Sequence, residues 1–349
     1  AGFLWASRAG DLTTHIEYAQ RIRSFADISS PHFLFQVLLK ALVPLGLSYE
    51  AAAVLLLGAC YGGMALLLRE CQRRAIVLSP FHIAVVVPAT LLASHIFLPT
   101  LGKPNLYLGY FAPVTYHNPT QQLAKLLAMW IVFDYCATFL KATSPSLRQA
   151  FGIGLLCVVS ALAKPTFLLA FLPVVGIVLL VDLLRGRWPR ALAAGAGVIA
   201  PSVAVLLWQA YVAYGGESGG IAFDPFEVFS AGETLYKLPL SLALPLYVWV
   251  CSARAKAITA NLRFTAALVV FGLVWTLGFV ESNHVSDGNF AWAGQIVVFL
   301  AYTEAVLCLC TWPSGQRRTT VAWWLFGLHV VSGVIWFGAS FRNDWPQLL

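Results

Sequence analysis

An acid and a histidine stand near the start of the chain, in the stretch GDLTTHIEYAQR at residues 10–21. Asp11 precedes two threonines, and His15 follows it by four residues, roughly one helical turn. One interpretation is structural: Asp11 caps a helix by accepting hydrogen bonds from its first amides. The other is chemical: the Asp11 carboxylate takes a proton from an incoming hydroxyl as a general base, with His15 assisting. The sequence leaves both interpretations open.

A long loop carries a second group of polar residues, in the stretch GKPNLYLGYFAPVTYHNPT at residues 102–120. It contains Lys103, Tyr116, His117 and Asn118. A loop of this length, rich in prolines and aromatic rings, is typical of a binding surface rather than of a simple connection. Two structural interpretations compete, because aromatic rings also mark membrane interfaces and Asn-Pro-Thr is a common helix start. We predict that these four residues contact a substrate.

A single lysine interrupts an apolar region in ALAKPTF at residues 161–167. The side chain of Lys164 either extends to a membrane interface or pairs with a lipid phosphate there. The spacing does not separate the two interpretations. We include Lys164 among the predicted substrate-binding residues.

The stretch ESNHVSDGNFAWAG at residues 281–294 forms the last group. Glu281 ends an apolar run, and ionisable residues at that depth are candidates for function because they are costly to place there. We predict a catalytic role for Glu281 and substrate binding by His284, Asp287 and Asn289. A histidine between two acids also suits a divalent metal ion, although the spacing matches no known ligand signature. No cofactor is otherwise indicated.

The elements that position these groups must be membrane helices. The chain has 349 residues, of which 59% are hydrophobic and 11% charged, and its mean hydropathy is +0.77. Soluble domains carry about 25% charged residues. The apolar runs are continuous and do not alternate with polar residues, which favours helices over a barrel. We therefore predict an all-α, polytopic transmembrane helix bundle.

About ten apolar segments approach the roughly 20 residues that a membrane crossing needs. The predicted spans are 49–68, 81–100, 121–141, 148–163, 166–184, 190–213, 234–252, 262–280, 291–311 and 319–339. Residues 31–45 are too short to span comfortably and predict a re-entrant or interfacial helix. The opening AGFLWAS resembles the end of a further upstream span, and a cleaved signal peptide is the alternative.

Two acids, Asp134 and Glu304, fall inside predicted spans. Ionisable residues within a membrane need partners. We expect these two to pair with Lys125 or with backbone groups, in a structural role.

Basic residues are distributed unevenly between alternate loops. The loops 69–79, 141–148, 185–190, 252–263 and 312–319 hold thirteen of them. The intervening loops hold only Lys103 and Lys164 together with six acids. The positive-inside rule makes the basic loops cytoplasmic and places the four polar groups outside. This pattern also explains the net charge of +7 without nucleic-acid binding.

The same alternation predicts one domain, 1–349, with an extracytoplasmic loop at 8–48 and a helix bundle at 49–339. Within the loop, apolar residues recur at helical spacing opposite Glu17, Arg21 and Asp27. This spacing favours a helix lying in the membrane interface, with a simple anchoring role as the alternative. We expect an integral protein of the plasma (inner) membrane whose active face is extracytoplasmic.

The layout resembles the GT-C superfamily of polytopic glycosyltransferases, in which a catalytic acid lies in the first outer loop, ahead of membrane-parallel helices. The stretches GDLTTHIEYAQRI, PHFLFQVLL, TYHNPT, AKPTF and ESNHVSDGNFAW carry the resemblance. It implies a polyprenyl-phosphate-linked sugar as donor, a glycan, lipid or protein as acceptor, and Asp11 as general base. A role in the cell envelope is expected as well, and direct attack by the acceptor would invert the anomeric carbon.

The leaving phosphate would need cations, and Lys103 and Lys164 are the lysines of the outer loops between spans. Two other classes remain open: a transporter or flippase of a lipid-linked glycan, and a non-catalytic subunit of a membrane complex. Broken helices and buried acids are also features of transporters.

Overall fold

Helices make up most of the chain that the structure describes. The structure is a computed structural model and describes residues 11–24, 27–28, 30–75, 80–97, 111–114, 118–141, 145–214, 220–282 and 289–341. Within these ranges the helices are α1 Leu12–Arg21, α2 Leu34–Leu42 (followed by one short turn, Val43–Leu45), α3 Tyr49–Ala75, α4 Pro80–Leu92, α5 (Pro119–Tyr135 and Cys136–Lys141 in continuous succession), α6 Leu147–Ala163, α7 Thr166–Leu184, α8 (Trp188–Leu192, Ala193–Ile199 and Ala200–Tyr214 in continuous succession), α9 Ala231–Arg254, α10 Ala260–Gly278, α11 Ala291–Cys310 and α12 Arg317–Phe341. Two short strands, β1 Ile221–Phe223 and β2 Phe279–Glu281, pair antiparallel. The all-α prediction is confirmed apart from this small ribbon.

Eight of the described helices are long and apolar enough to cross a membrane, which indicates a membrane-embedded protein. Helix α6 has 17 residues and matches the short span predicted at 148–163. One predicted span is shorter than expected: α4 has 13 residues and ends at Leu92. The prediction of a helical span at 81–100 is therefore wrong at residues 93–97, which are not helical. The predicted span at 262–280 ends at Gly278, because Phe279 begins β2.

The chain leaves the helix after α4 because neighbouring helices supply partners for its backbone. The amide of Ser94 donates to the carbonyl of His329 at 3.0 Å, and the amide of Ile96 donates to that of Leu240 at 3.1 Å. The hydroxyl of Ser332 donates to the carbonyl of His95 at 2.5 Å. Non-helical backbone inside a membrane is tolerated only where protein groups satisfy it in this way. Apolar composition alone does not reveal such partners, and the sequence therefore suggested a longer helix.

Gly333 allows α12 to approach this unwound segment. A Cβ atom at position 333 would lie 1.7 Å from the carbonyl oxygen of Leu92. We therefore predict that Gly333→Ala lowers the stability of the protein by about 1–3 kcal/mol, as overpacking typically does. The measurement is the thermal midpoint in detergent. Gly327→Ala is the matched control, because Gly327 lies on the same helix with no atom within 4 Å of the added methyl. Equal midpoints for the two variants would contradict the prediction.

Helix α11 occupies the centre of the bundle, since 94% of the residues in its most apolar stretch are buried. A helix that is apolar on all sides is expected to be enclosed by others. Gly272 on α10 lets the two helices approach, since a Cβ there would lie 2.4 Å from a methyl of Val297. A polar residue in the first half of α11, Gln295, is therefore buried in the interior of the protein.

The two ends of the bundle differ in chemistry. At one end, which we call the Asp11 end, α1 and α2 pack on the first turns of α3 and α5 and on the last turn of α6, through Leu12, Phe35, Ala53, Leu123 and Ala163. The loop predicted at 8–48 does contain helices, α1 and α2, and Glu17 and Arg21 lie on the exposed side of α1 as expected. Their position in the membrane interface stays a prediction.

At the opposite end, which we call the basic end, Asp182 pairs with Arg190 at 3.1 Å and with Arg187 at 3.5 Å. Arg190 also donates to the backbone carbonyl of Phe139. These contacts join the end of α5 to the turn between α7 and α8. The end of α5 and the turn after α7 therefore meet at the basic end.

Candidate functional site

Asp11 stands at the start of α1, and its side chain does not cap that helix. Instead, the side-chain amide of Asn118 donates to the Asp11 carboxylate at 2.8 Å. The capping interpretation is therefore wrong, and the carboxylate is oriented by a residue more than a hundred positions away in the sequence. An oriented carboxylate of this kind can accept a proton from a bound hydroxyl.

Asn118 holds its own position because it caps α5. Its side-chain oxygen accepts the amide of Gln121 at 3.1 Å and the hydroxyl of Thr120 at 2.7 Å. With the oxygen engaged, the amide group of Asn118 points to Asp11. Asn118 is 5% exposed. The predicted helix start at Asn118 is confirmed, and its contact with a substrate stays a prediction.

Lys164 lies between α6 and α7, where one extended residue breaks the helix. Its ammonium stands 4.3 Å from the centre of the Trp292 ring. The residue is 7% exposed, so the side chain turns into the protein and does not extend to solvent. Burial lowers the pKa of Lys164 to about 7, and the carboxylate of Asp11 acts in the opposite direction. Asp11 and Lys164 are therefore close enough to interact electrostatically.

His15 faces the same cluster from α1. Its Nδ1 atom lies 2.9 Å from the side-chain amide of Gln36 on α2, and it accepts that hydrogen bond. Burial first, and then the charges of Lys164 and His32, lower the pKa of His15 to about 3. The imidazole is neutral at physiological pH and a weak base. It is better suited to hold α1 in place beside Lys164 than to remove a proton.

His32 belongs to the cluster and was not predicted from the sequence. Burial and the charge of Lys164 lower its pKa to about 4. Gln209 on α8 fixes the preceding residue, since its side-chain amide donates to the carbonyl of Pro31 and to that of Ala161, each at 2.8 Å. A histidine beside a proline at the start of an apolar helix was the available signal.

Several buried polar atoms around Lys164 have no hydrogen-bond partner among the described residues. They are the hydroxyl oxygens of Ser160 and Thr166 and the side-chain oxygens of Gln36, Gln121 and Gln209. Protein interiors satisfy roughly 90% or more of their buried polar groups. A concentration of unsatisfied groups at one place is typical of a site that receives a polar ligand or ordered water.

Glu281 forms a second pair near the start of α11, because Asn289 donates to its carboxylate at 2.5 Å. Glu281 lies in β2 opposite Ile221 of β1, and it is partly exposed. Trp292, which covers Lys164, follows Asn289 by three residues. Asp11, Asn118, His15 and Lys164 thus form one cluster, in which Asn118 bonds to Asp11 and Lys164 interacts electrostatically with Asp11 and His15. Lys164 also contacts Trp292 on α11, and Asn289, just before that helix, bonds to Glu281.

Five predicted residues lie outside the described residues: Lys103, Tyr116, His117, His284 and Asp287. Among the residues that the structure describes, no group of three or more His, Cys, Asp and Glu side chains could hold a metal ion. The predicted roles of these five residues stay predictions.

A cavity of about 580 Å³ lies toward the basic end, on the other side of the bundle from Asp11. Glu70, Asp134, Glu304 and Lys141 line it. Asn261 hydrogen-bonds to Glu304. The expected pairing of the buried acids with Lys125 is not observed, because the Lys125 ammonium has no hydrogen-bond partner among the described residues.

Comparison of the chain with protein-family models, with curated proteins and with solved structures finds no match. The fold and the site by themselves define the class: a helical, membrane-embedded protein with a buried polar cluster at one end of the bundle.

Proposed function

We propose that the protein is a membrane glycosyltransferase that moves a sugar from a polyprenyl-phosphate donor to a hydroxyl acceptor, with Asp11 as general base. The observation that carries the proposal is the pair of opposite charges at the Asp11 end. Asn118 orients the Asp11 carboxylate at 2.8 Å, and the buried Lys164 ammonium lies within its electrostatic reach. A base beside a buried cation is the arrangement that sugar transfer from a phosphate requires.

The reaction assigns one role to each charge. Asp11 accepts the proton of the acceptor hydroxyl as its oxygen bonds to the anomeric carbon. The bond from that carbon to the phosphate oxygen breaks, and its electron pair leaves with the phosphate. Lys164 stabilises the negative charge that develops there, which is usually the largest catalytic contribution. Direct attack inverts the configuration at the anomeric carbon.

The distribution of basic residues supports an extracytoplasmic reaction. The positive-inside rule places the basic end in the cytoplasm and the Asp11 end outside. Helices α1 and α2 pack across the Asp11 end, where a lipid-linked sugar could enter from the membrane interface. The deciding experiment is a transfer assay with purified, reconstituted protein and radiolabelled undecaprenyl-phosphate sugars. Lack of transfer with every donor and acceptor preparation tested would contradict the proposal.

The cavity near the basic end favours transport of a lipid-linked glycan as a second candidate. A transporter needs access from both ends, and this cavity of about 580 Å³ lies opposite the Asp11 cluster. If the protein is the proposed transferase alone, proteoliposomes containing it should move fluorescently labelled undecaprenyl-phosphate sugar across the bilayer no faster than empty liposomes. Accelerated crossing that Glu304→Gln abolishes would favour the transporter instead.

A further inference from the structure

A line of buried polar side chains runs inward from the Asp11 end between α5 and α11. Gln121 and Lys125 lie one turn apart on α5 and share a face. The side-chain amide of Gln121 donates to the carbonyl of Trp292 at 3.1 Å, and the Lys125 ammonium stands 5.6 Å from the ring centre of Phe299. Gln295 lies between Trp292 and Phe299 on the facing side of α11.

These three polar residues are enclosed and incompletely satisfied. Gln121, Lys125 and Gln295 are 0%, 1% and 2% exposed. The Lys125 ammonium and the side-chain oxygens of both glutamines have no hydrogen-bond partner among the described residues. Burying an ammonium without a partner costs several kcal/mol as an order of magnitude. A ligand that completes these bonds would explain why the groups occupy an otherwise apolar helix interface.

We propose that this α5–α11 seam binds the sugar of the lipid-linked donor, an inference that rests on the proposed function. Lys125 donates a hydrogen bond to a sugar oxygen, and Gln121 and Gln295 accept hydrogen bonds from sugar hydroxyls. A phosphate group offers only acceptors and would leave both amide oxygens unsatisfied. A prenyl chain satisfies none of the three groups. A polyol supplies donors and acceptors together, as the seam requires.

The position of the seam agrees with the proposed reaction. Its outer end is formed by Gln121 and Trp292. The backbone amide of Gln121 donates to the side-chain oxygen of Asn118, the residue that orients Asp11. The ring of Trp292 lies against the ammonium of Lys164. A phosphate at Lys164 and a sugar beyond Trp292 would leave the anomeric carbon between them, close to the phosphate and so near the lysine with which Asp11 interacts.

The test compares two ligands, undecaprenyl phosphate and a panel of undecaprenyl-phosphate hexoses and pentoses, binding to the full chain in nanodiscs. The variants are Lys125→Met and Gln295→Met, on different helices. For the sugar-bearing lipid that the wild type prefers, we expect each variant to bind about ten-fold or more weakly. Binding of the sugar-free lipid should stay within about two-fold, since no hydrogen bond to it is removed.

Thermal stability provides the second measurement. Because each variant replaces an unsatisfied buried polar group by an apolar one, its thermal midpoint should equal or exceed that of the wild type. Thr303→Val is the matched control: Thr303 is buried on the same helix, and its hydroxyl is satisfied by the carbonyl of Phe299 at 3.0 Å. It should change neither binding constant.

The outcomes separate the inference from the function on which it rests. Wild-type protein that binds neither lipid would contradict the proposed function itself. If the wild type binds both lipids equally, or if the variants bind the sugar-bearing lipid normally, the seam does not bind the sugar. The unsatisfied groups would then be occupied by water only. Equal weakening for both lipids would assign Lys125 to the phosphate and also overturn the sugar assignment.

Discussion

Asp11→Asn is expected to reduce sugar transfer by about 10²–10⁴-fold, the range that a general base contributes. The asparagine keeps the size of the side chain, and its oxygen can still accept the hydrogen bond from Asn118 that the carboxylate accepts at 2.8 Å. Only the capacity to take a proton is removed. Donor binding and the thermal midpoint should therefore stay close to those of the wild type. The measurement is the initial rate of transfer from a radiolabelled undecaprenyl-phosphate sugar.

Glu17→Gln is the matched control for Asp11. Glu17 lies on the same helix, where its carboxylate is more than half exposed and stands 3.7 Å from Arg21. Exposed pairs of this kind contribute little, about 0–1 kcal/mol. The control should transfer sugar at the wild-type rate. Full activity in Asp11→Asn would remove Asp11 from the chemistry, whereas equal losses in both variants would indicate a general disturbance of α1.

Lys164→Met is expected to lower transfer by about 10²–10³-fold, as loss of a group that stabilises a developing oxyanion does. The methionine retains the contact with Trp292 and removes the charge that would face the leaving phosphate. The thermal midpoint should be unchanged or higher, because burial in this place disfavours the ammonium. Lys40→Met is the control: Lys40 lies at the same end and donates to the hydroxyl of Tyr49 at 3.2 Å. A Lys164→Met enzyme with normal transfer would contradict the assignment.

The pH dependence of donor binding provides an independent test of Lys164. Its pKa is lowered to about 7 by burial, so the lysine loses its charge as the pH rises through 7. A phosphodiester keeps its negative charge over this range, and the lysine is the group that changes. Affinity for the donor should therefore be highest below pH 7 and fall by up to about ten-fold for each pH unit above it. Lys164→Met should bind weakly at every pH, with this dependence lost.

Much of the architecture could be predicted from the sequence, because a membrane imposes simple rules. A segment in hydrocarbon must satisfy its own backbone, so long apolar runs such as 166–184 and 291–311 predicted helices that the structure confirms. The same rules did not predict that the helix expected at 81–100 ends at Leu92. There, the backbone partners come from Leu240 and His329, on helices far away in the sequence.

Several members of the candidate site were predictable from the sequence, although His32 and the contacts within the site were not. Residue type and position drew attention to Asp11, Asn118, Lys164 and Glu281 separately, because polar groups beside apolar runs are costly. The bond from Asn118 to Asp11 and the burial of Lys164 against Trp292 depend on how α1, α5, α6 and α11 pack. No local pattern encodes these distances.

Lys125 shows the limit most clearly. The sequence places a lysine inside a span and predicts a charged partner for it, since an isolated charge in a membrane is unfavourable. Only the packing of α5 on α11 shows that its ammonium faces the ring of Phe299 instead and has no hydrogen-bond partner among the described residues. The sequence by itself determined which segments become helices, because hydrophobicity and backbone satisfaction act locally. The tertiary structure decided which polar groups meet, because burial and pairing depend on residues that are distant along the chain.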